Sequence, residues 1–171
     1  MSNNDFDEMA AFEQCIEFLN HIGIETTFRK IGNKSFLPGL LINKGTIIID
    51  KDALEHPGDI LHEAGHIAVV PATDRLGLSE KMIIGRKNRE GEEIMAIAWS
   101  YAACMHLLID PNFVFHEQGY RGGKEYITNS CSDKSYIGLS MLEKIGLTAN
   151  EKNAQRLRIP SYPHMIKWMR A

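Results

Sequence analysis

His62-Glu63-Ala64-Gly65-His66 sets two imidazoles one helical turn apart and a carboxylate beside the first of them. Residues four apart on a helix stand nearly above one another, so both rings can reach a single zinc ion while Glu63 faces a water activated there. The arrangement works only on a helix, and the flanking residues favour one. At about 100° per residue, Asp59, His62, Glu63 and His66 fall on one side, and Ile60, Leu61, Ala64, Ile67 and Ala68 on the other. Pro57 suits a first helical position, Asp59 puts negative charge near the positive end of the dipole, and Pro71 stops the helix. Gly65 is a poor helix former, which points to close approach by another element or by substrate backbone.

Two histidines leave a zinc site in need of a third protein ligand. A third histidine in the longer His-x-x-Gly-x-x-His continuation is excluded, because Val69 and Ala72 stand at the required positions. A second helical segment, opening at Glu92-Glu93 and running to about Ile109 ahead of Asp110-Pro111, offers a carboxylate instead. On its wheel Glu93 shares a stripe with Ala96, Ile97, Ser100 and Cys104, whereas Glu92 falls with Met95, Trp99, His106 and Asp110. Small residues along the first stripe let another helix come close, so Glu93 is the expected third ligand. Glu92, Asp74, His116 and Glu117 are the competitors. The ordinary role of Glu92 and Glu93 would be to complement the dipole in a first turn.

With these residues in place, the chain resembles the compact bacterial zinc peptidases of the ImmA/IrrE type. Those proteins carry His-Glu-x-x-His and a downstream Glu that opens an Ala-rich helix ending in a Leu-Leu-x-Pro-like segment. Here Glu93 opens the helix and Leu107-Leu108-Ile109-Asp110-Pro111 closes it, and the interval from His66 to Glu93 is 27 residues. The likeness covers roughly residues 55–111. It implies a zincin-like fold, Zn2+ held by His62, His66 and Glu93, Glu63 as general base, and a repressor-like protein as substrate. Two departures bear on the active-site wall: Ile94, Met95 and Ala96 stand where Asn and Phe follow the family's Glu ligand, and the helix is longer before its close.

The expected chemistry is hydrolysis of a peptide bond. Zinc polarises the carbonyl and acidifies water, and Glu63 takes the proton and returns it to the leaving amine. Tyr120, Arg121 and His116, in or beside the Gly-flanked stretch from Gln118 to Gly123, are the candidates for stabilising the oxyanion. An ordinary surface turn is the competing reading of that stretch.

Composition fixes the setting. At 171 residues with 44% hydrophobic content the chain fits one domain, 1–171, with a substantial core. A formal charge of −3 with scattered Lys and Arg argues against nucleic acid, and Arg86-Lys87-Asn88-Arg89 reads as a solvated loop. The acidic first residues lack a secretory pattern and no apolar run is long enough for a membrane span, so a cytoplasmic protein acting on a peptide or protein is expected. Cys15, Cys104 and Cys131 are too scattered for a disulfide framework and read as buried thiols.

The fold class expected is α+β and zincin-like, a small antiparallel sheet packed on the His-Glu-x-x-His helix and a long buried helix. Strands are expected at Thr26 to Ile31, Phe36 to Ile42 and Thr46 to Asp50, the last two forming a hairpin at Asn43-Lys44-Gly45 that could pair with an extended substrate. Helices are expected near Phe6 to Ile22, as a turn at Asn112 to Phe115, near Ile137 to Ile145, and around Pro163 to Met169. The other functional class compatible with these residues is a metal-binding or partner-binding domain on the same scaffold with little turnover.

Overall fold

The computed structural model describes residues 7–32, 35–117, 119, 127, 129–130 and 135–171. Helix α1 (Glu8–His21) starts where the Asp7 carboxylate accepts from the backbone N–H groups of Met9 and Ala10, both at 3.1 Å. It ends ahead of Gly23, whose φ of +93° turns the chain into the sheet. Strands β1 (Thr26–Phe28), β2 (Leu40–Asn43) and β3 (Thr46–Ile49) form one sheet in the order β1-β3-β2. The β2–β3 hairpin closes on Lys44 and Gly45, with φ of 51° and 73°, the positive pair that a two-residue turn needs to follow the twist of its strands.

The sheet is mixed rather than antiparallel. Strand β1 runs parallel to β3, with Thr26 opposite Ile47 and Phe28 opposite Ile49. Local alternation carries no information on strand direction; β1 is joined to β2 by a long segment, not a tight turn, and pairs with the far side of β3. Leu40, Ile42, Ile47 and Ile49 from the two hairpin strands are fully buried in the core.

Against this sheet lies α2 (Asp59–Val69), carrying the His-Glu-x-x-His motif, and α5 (Arg89–Leu107) packs along α2. Between them come the short helices α3 (Ala72–Arg75) and α4 (Glu80–Gly85), which the sequence patterning did not announce. After α5 follow a 3-10 turn at Pro111–Phe113, α6 (Leu139–Lys144) and α7 (Glu151–Leu157).

The helix expected around Pro163 to Met169 is absent, and α7 stands earlier in the chain. Asn150 caps α7 through Oδ1, which accepts from Asn153 N–H at 2.9 Å, while Glu143 accepts from the side-chain amides of both asparagines. The backbone after Pro163 pairs elsewhere: Ile166 N–H donates to Leu147 at 2.8 Å, and the Thr148 hydroxyl donates to His164 C=O at 2.6 Å. The C-terminal segment thereby docks on the core, where Trp99 Nε1 donates to Trp168 C=O at 2.9 Å.

Helix α2 is buried nearly all round, so its last carbonyls require protein donors. Arg75 Nε donates to Ile67 C=O at 3.2 Å, Arg170 N–H donates to Ala68 C=O at 2.9 Å, and Arg170 Nη1 donates to Val69 C=O at 3.2 Å. Two guanidinium groups thus cap the negative end of the dipole.

Gly65 sits where α2 meets α5. A Cβ built there would lie 2.8 Å from the carbonyl oxygen of Ala96 and 3.0 Å from its Cα, which answers why a poor helix former occupies the motif. Because the obstruction is backbone, Gly65→Val has to spread the two helices and should destabilise the protein by about 1–3 kcal/mol, read from urea unfolding. An unchanged midpoint would mean that the helices separate at no cost.

Candidate metal centre

His62, His66 and Glu93 converge. His62 Nε2 lies 3.1 Å from His66 Nε2 and 3.1 Å from Glu93 Oε1, and His66 Nε2 lies 3.3 Å from Glu93 Oε2. Both rings and the carboxylate therefore aim donor atoms at one point between α2 and α5. A tetrahedral zinc ion with bonds of about 2.0 Å requires neighbouring donors about 3.3 Å apart, and these separations fit that edge length. The donor chemistry agrees, since two imidazole nitrogens and a carboxylate are a zinc-type set. The small side chains of Gly65 and Ala96 allow the two helices to approach closely enough for the set to meet.

Charge within the cluster is consistent with a cation site. Burial pulls the His62 pKa down, but the hydrogen bond and charge of Glu93, helped by Glu63 and Asp59, outweigh it and leave the ring above the ordinary histidine value. Burial pushes Glu93 up, yet hydrogen bonds from His62 and His66 hold its carboxyl well below the usual carboxylate range. In Glu63, burial dominates over the attraction of His66 and His62, and the carboxyl is raised. A raised carboxylate beside two imidazoles is a better proton acceptor than an exposed one. Ligand-capable atoms of His62, Glu63 and His66 lie within 4.8 Å of one another, which puts the Glu63 carboxylate directly beside the two imidazoles.

The rival ligands have other partners or other places. Glu92 is buried and receives Arg86 Nε at 2.5 Å and Nη2 at 2.9 Å, and Asp74 receives Arg86 Nη2 at 2.9 Å. Arg86 is therefore a partly buried clamp joining α3 to the start of α5, not part of a solvated loop. No local pattern marks this clamp, because a pairing across six and twelve residues through a turn follows no helical or strand period. Glu117 is exposed and does not line the cleft.

His116 packs against the start of α2 and is bonded to Asp59. Its Nδ1 accepts from Gly119 N–H at 3.1 Å, so Nε2 carries the proton and donates to Asp59 Oδ1 at 2.7 Å. The His56 ring stacks on it with centroids 3.9 Å apart. His116 therefore ties Gly119, part of the cleft wall, to the first residue of α2. Tyr120 and Arg121 lie outside the described residues.

A cleft of about 280 Å³ opens onto His62, Glu63, His66 and Glu93. Its lining also includes Phe36 and Leu37 ahead of β2 and Ile83 and Ile84 of α4. The motif announced the floor of this cleft but not its walls, which come from residues with no motif of their own.

No family model matches the chain, and neither does any curated protein or solved structure. No helix among the described residues is long and apolar enough to cross a membrane.

Proposed function

We propose that this protein is a zinc-dependent peptide-bond hydrolase of the ImmA/IrrE type, with a zincin-like active site. The observation that carries the proposal is the meeting of His62 Nε2, His66 Nε2 and the Glu93 carboxylate at 3.1–3.3 Å, from two separate helices, at the floor of a cleft. Zinc, when bound, supplies Lewis acidity that polarises the scissile carbonyl and acidifies water. His62, His66 and Glu93 are the residues that would hold the ion. Glu63 accepts a proton from the attacking water, whose oxygen bonds to the carbonyl carbon, and delivers it to the leaving nitrogen as the C–N bond breaks. Gly119, tied to Asp59 through His116, is part of the lining of that cleft.

A peptide or protein is the substrate class in this reading, and the cytoplasm its setting, in keeping with the buried thiols of Cys15 and Cys104. Burial pushes the Cys15 thiol up to about 12, so it stays protonated and unreactive. The test is metal analysis beside proteolysis. Protein purified without added metal should carry about one zinc per chain, His62→Ala should carry almost none, and a chelator should stop cleavage of a mixed peptide library by the wild type. Wild-type protein devoid of zinc, even after incubation with it, would refute the assignment.

A further inference from the structure

Large apolar side chains that stay in water need an explanation when they face a reactive centre. Phe36 is 84% exposed and Ile84 56% exposed, yet both line the cleft that holds His62, His66 and Glu93. They come from separate segments: Phe36 precedes β2, and Ile84 ends the apolar pair Ile83-Ile84 on α4. The two segments are tied together, because Phe36 N–H donates to both oxygens of Glu80, at 3.3 Å each. Glu80 is itself part of the lining. The jaws are therefore held at a fixed spacing by the Glu80 carboxylate while their apolar ends stay in contact with solvent.

Resting on the hydrolase reading, we infer that Phe36 and Ile84 form the specificity subsite of the cleft and select peptides with a bulky apolar side chain, such as Leu or Phe, next to the scissile bond. The chemistry of the walls decides the class. A charged side chain entering between Phe36, Leu37, Ile83 and Ile84 would shed water with no matching partner from those four residues, whereas an apolar one covers surface already exposed. Small side chains would leave the jaws in water and gain little.

Binding tests the idea without depending on turnover. Zinc-loaded wild type, Phe36→Ala, Ile84→Ala and the double variant are titrated by calorimetry with the capped peptides Ac-Gly-Ser-X-Ser-Gly-amide, X being Leu, Phe, Ala or Asp. The same peptides are then followed for cleavage. Wild type should bind the Leu and Phe peptides at least about 10-fold more tightly than the Ala peptide, with Asp weakest. Each single variant should erode that preference and the double variant abolish it, with zinc content unchanged. Equal affinity for Leu and Ala peptides in the wild type, or an intact preference in the double variant, would overturn the subsite. Preference without any cleavage supports the subsite and refutes turnover, while cleavage without preference does the reverse, so the two readings fail separately.

Discussion

Replacing Glu63 with Gln should lower peptide hydrolysis by about 10²–10⁴-fold while leaving one zinc per chain. Gln keeps the shape and the hydrogen-bonding reach of the side chain but has no site at which to accept a proton near neutral pH. Zinc should stay, because the three converging donors come from His62, His66 and Glu93 and not from Glu63. Folding should be little harmed. Burial already raises the Glu63 carboxyl, so the wild-type protein bears a cost for ionising it that the neutral amide avoids. The expected result is therefore an inactive protein that is at least as stable as its parent, measured by metal content, thermal unfolding and single-turnover cleavage. A wild type that holds zinc and cleaves nothing would give the variant nothing to remove, and the metal-binding scaffold without turnover would then be the better account. Full activity in Glu63→Gln would mean that another group moves the proton.

The part of this site that could be read from sequence is the part governed by helical periodicity. His62, Glu63 and His66 are placed by one turn of α2, and Glu93 is distinguishable from Glu92 because the two project from α5 about 100° apart, one toward the small residues and one away from them. The reason for Gly65 was also legible: a missing side chain in a helix implied a neighbour, and Ala96 is that neighbour. The α+β class and the hairpin turn at Lys44-Gly45 followed from equally local rules. What escaped is what depends on direction or on distant pairing. The parallel alignment of β1 with β3 has no signature in three residues, Thr26 to Phe28, of which the first is half-buried and the next two are exposed. The Arg86 clamp looked like loop charge because its partners, Asp74 and Glu92, approach only after α3 and α4 have folded back. The stretch after Pro163 looked helical because Met165, Trp168 and Met169 are spaced as an apolar face, yet they pack from an irregular segment whose backbone bonds go to Leu147 and to the end of α2. The sequence offers His116 as a ligand or an oxyanion donor, whereas in the fold both of its ring nitrogens are engaged, one by Asp59 and one by Gly119.

The adjacent carboxylates provide the sharpest separation of site from scaffold. Glu93→Ala removes one of three donors, so the loss in zinc affinity should exceed the roughly 10–100-fold that follows removal of an outer-shell partner, and the metal should not survive dialysis. Glu92→Ala should do the opposite. It leaves Arg86 partly buried with only Asp74 to pair with, which should cost about 1–3 kcal/mol of stability, and it weakens zinc only indirectly, because the start of α5 that presents Glu93 is less firmly held. In the metal-free protein the two variants should also differ in how stability follows pH. Glu93 is held below its ordinary value of 4.5, so its contribution is present above that pH and is lost on further acidification; His62 is raised above 6.5, so its contribution is present below that pH and is lost as the pH climbs. Both are fully present only between about 4.5 and 6.5, and there the Glu93→Ala variant should fall furthest behind the wild type in the presence of chelator. Zinc lost from the Glu92 variant and kept by the Glu93 variant would assign the wrong carboxylate to the metal. A flat difference across pH would mean that the pairing of Glu93 with His62 does not contribute to folding in the absence of the ion.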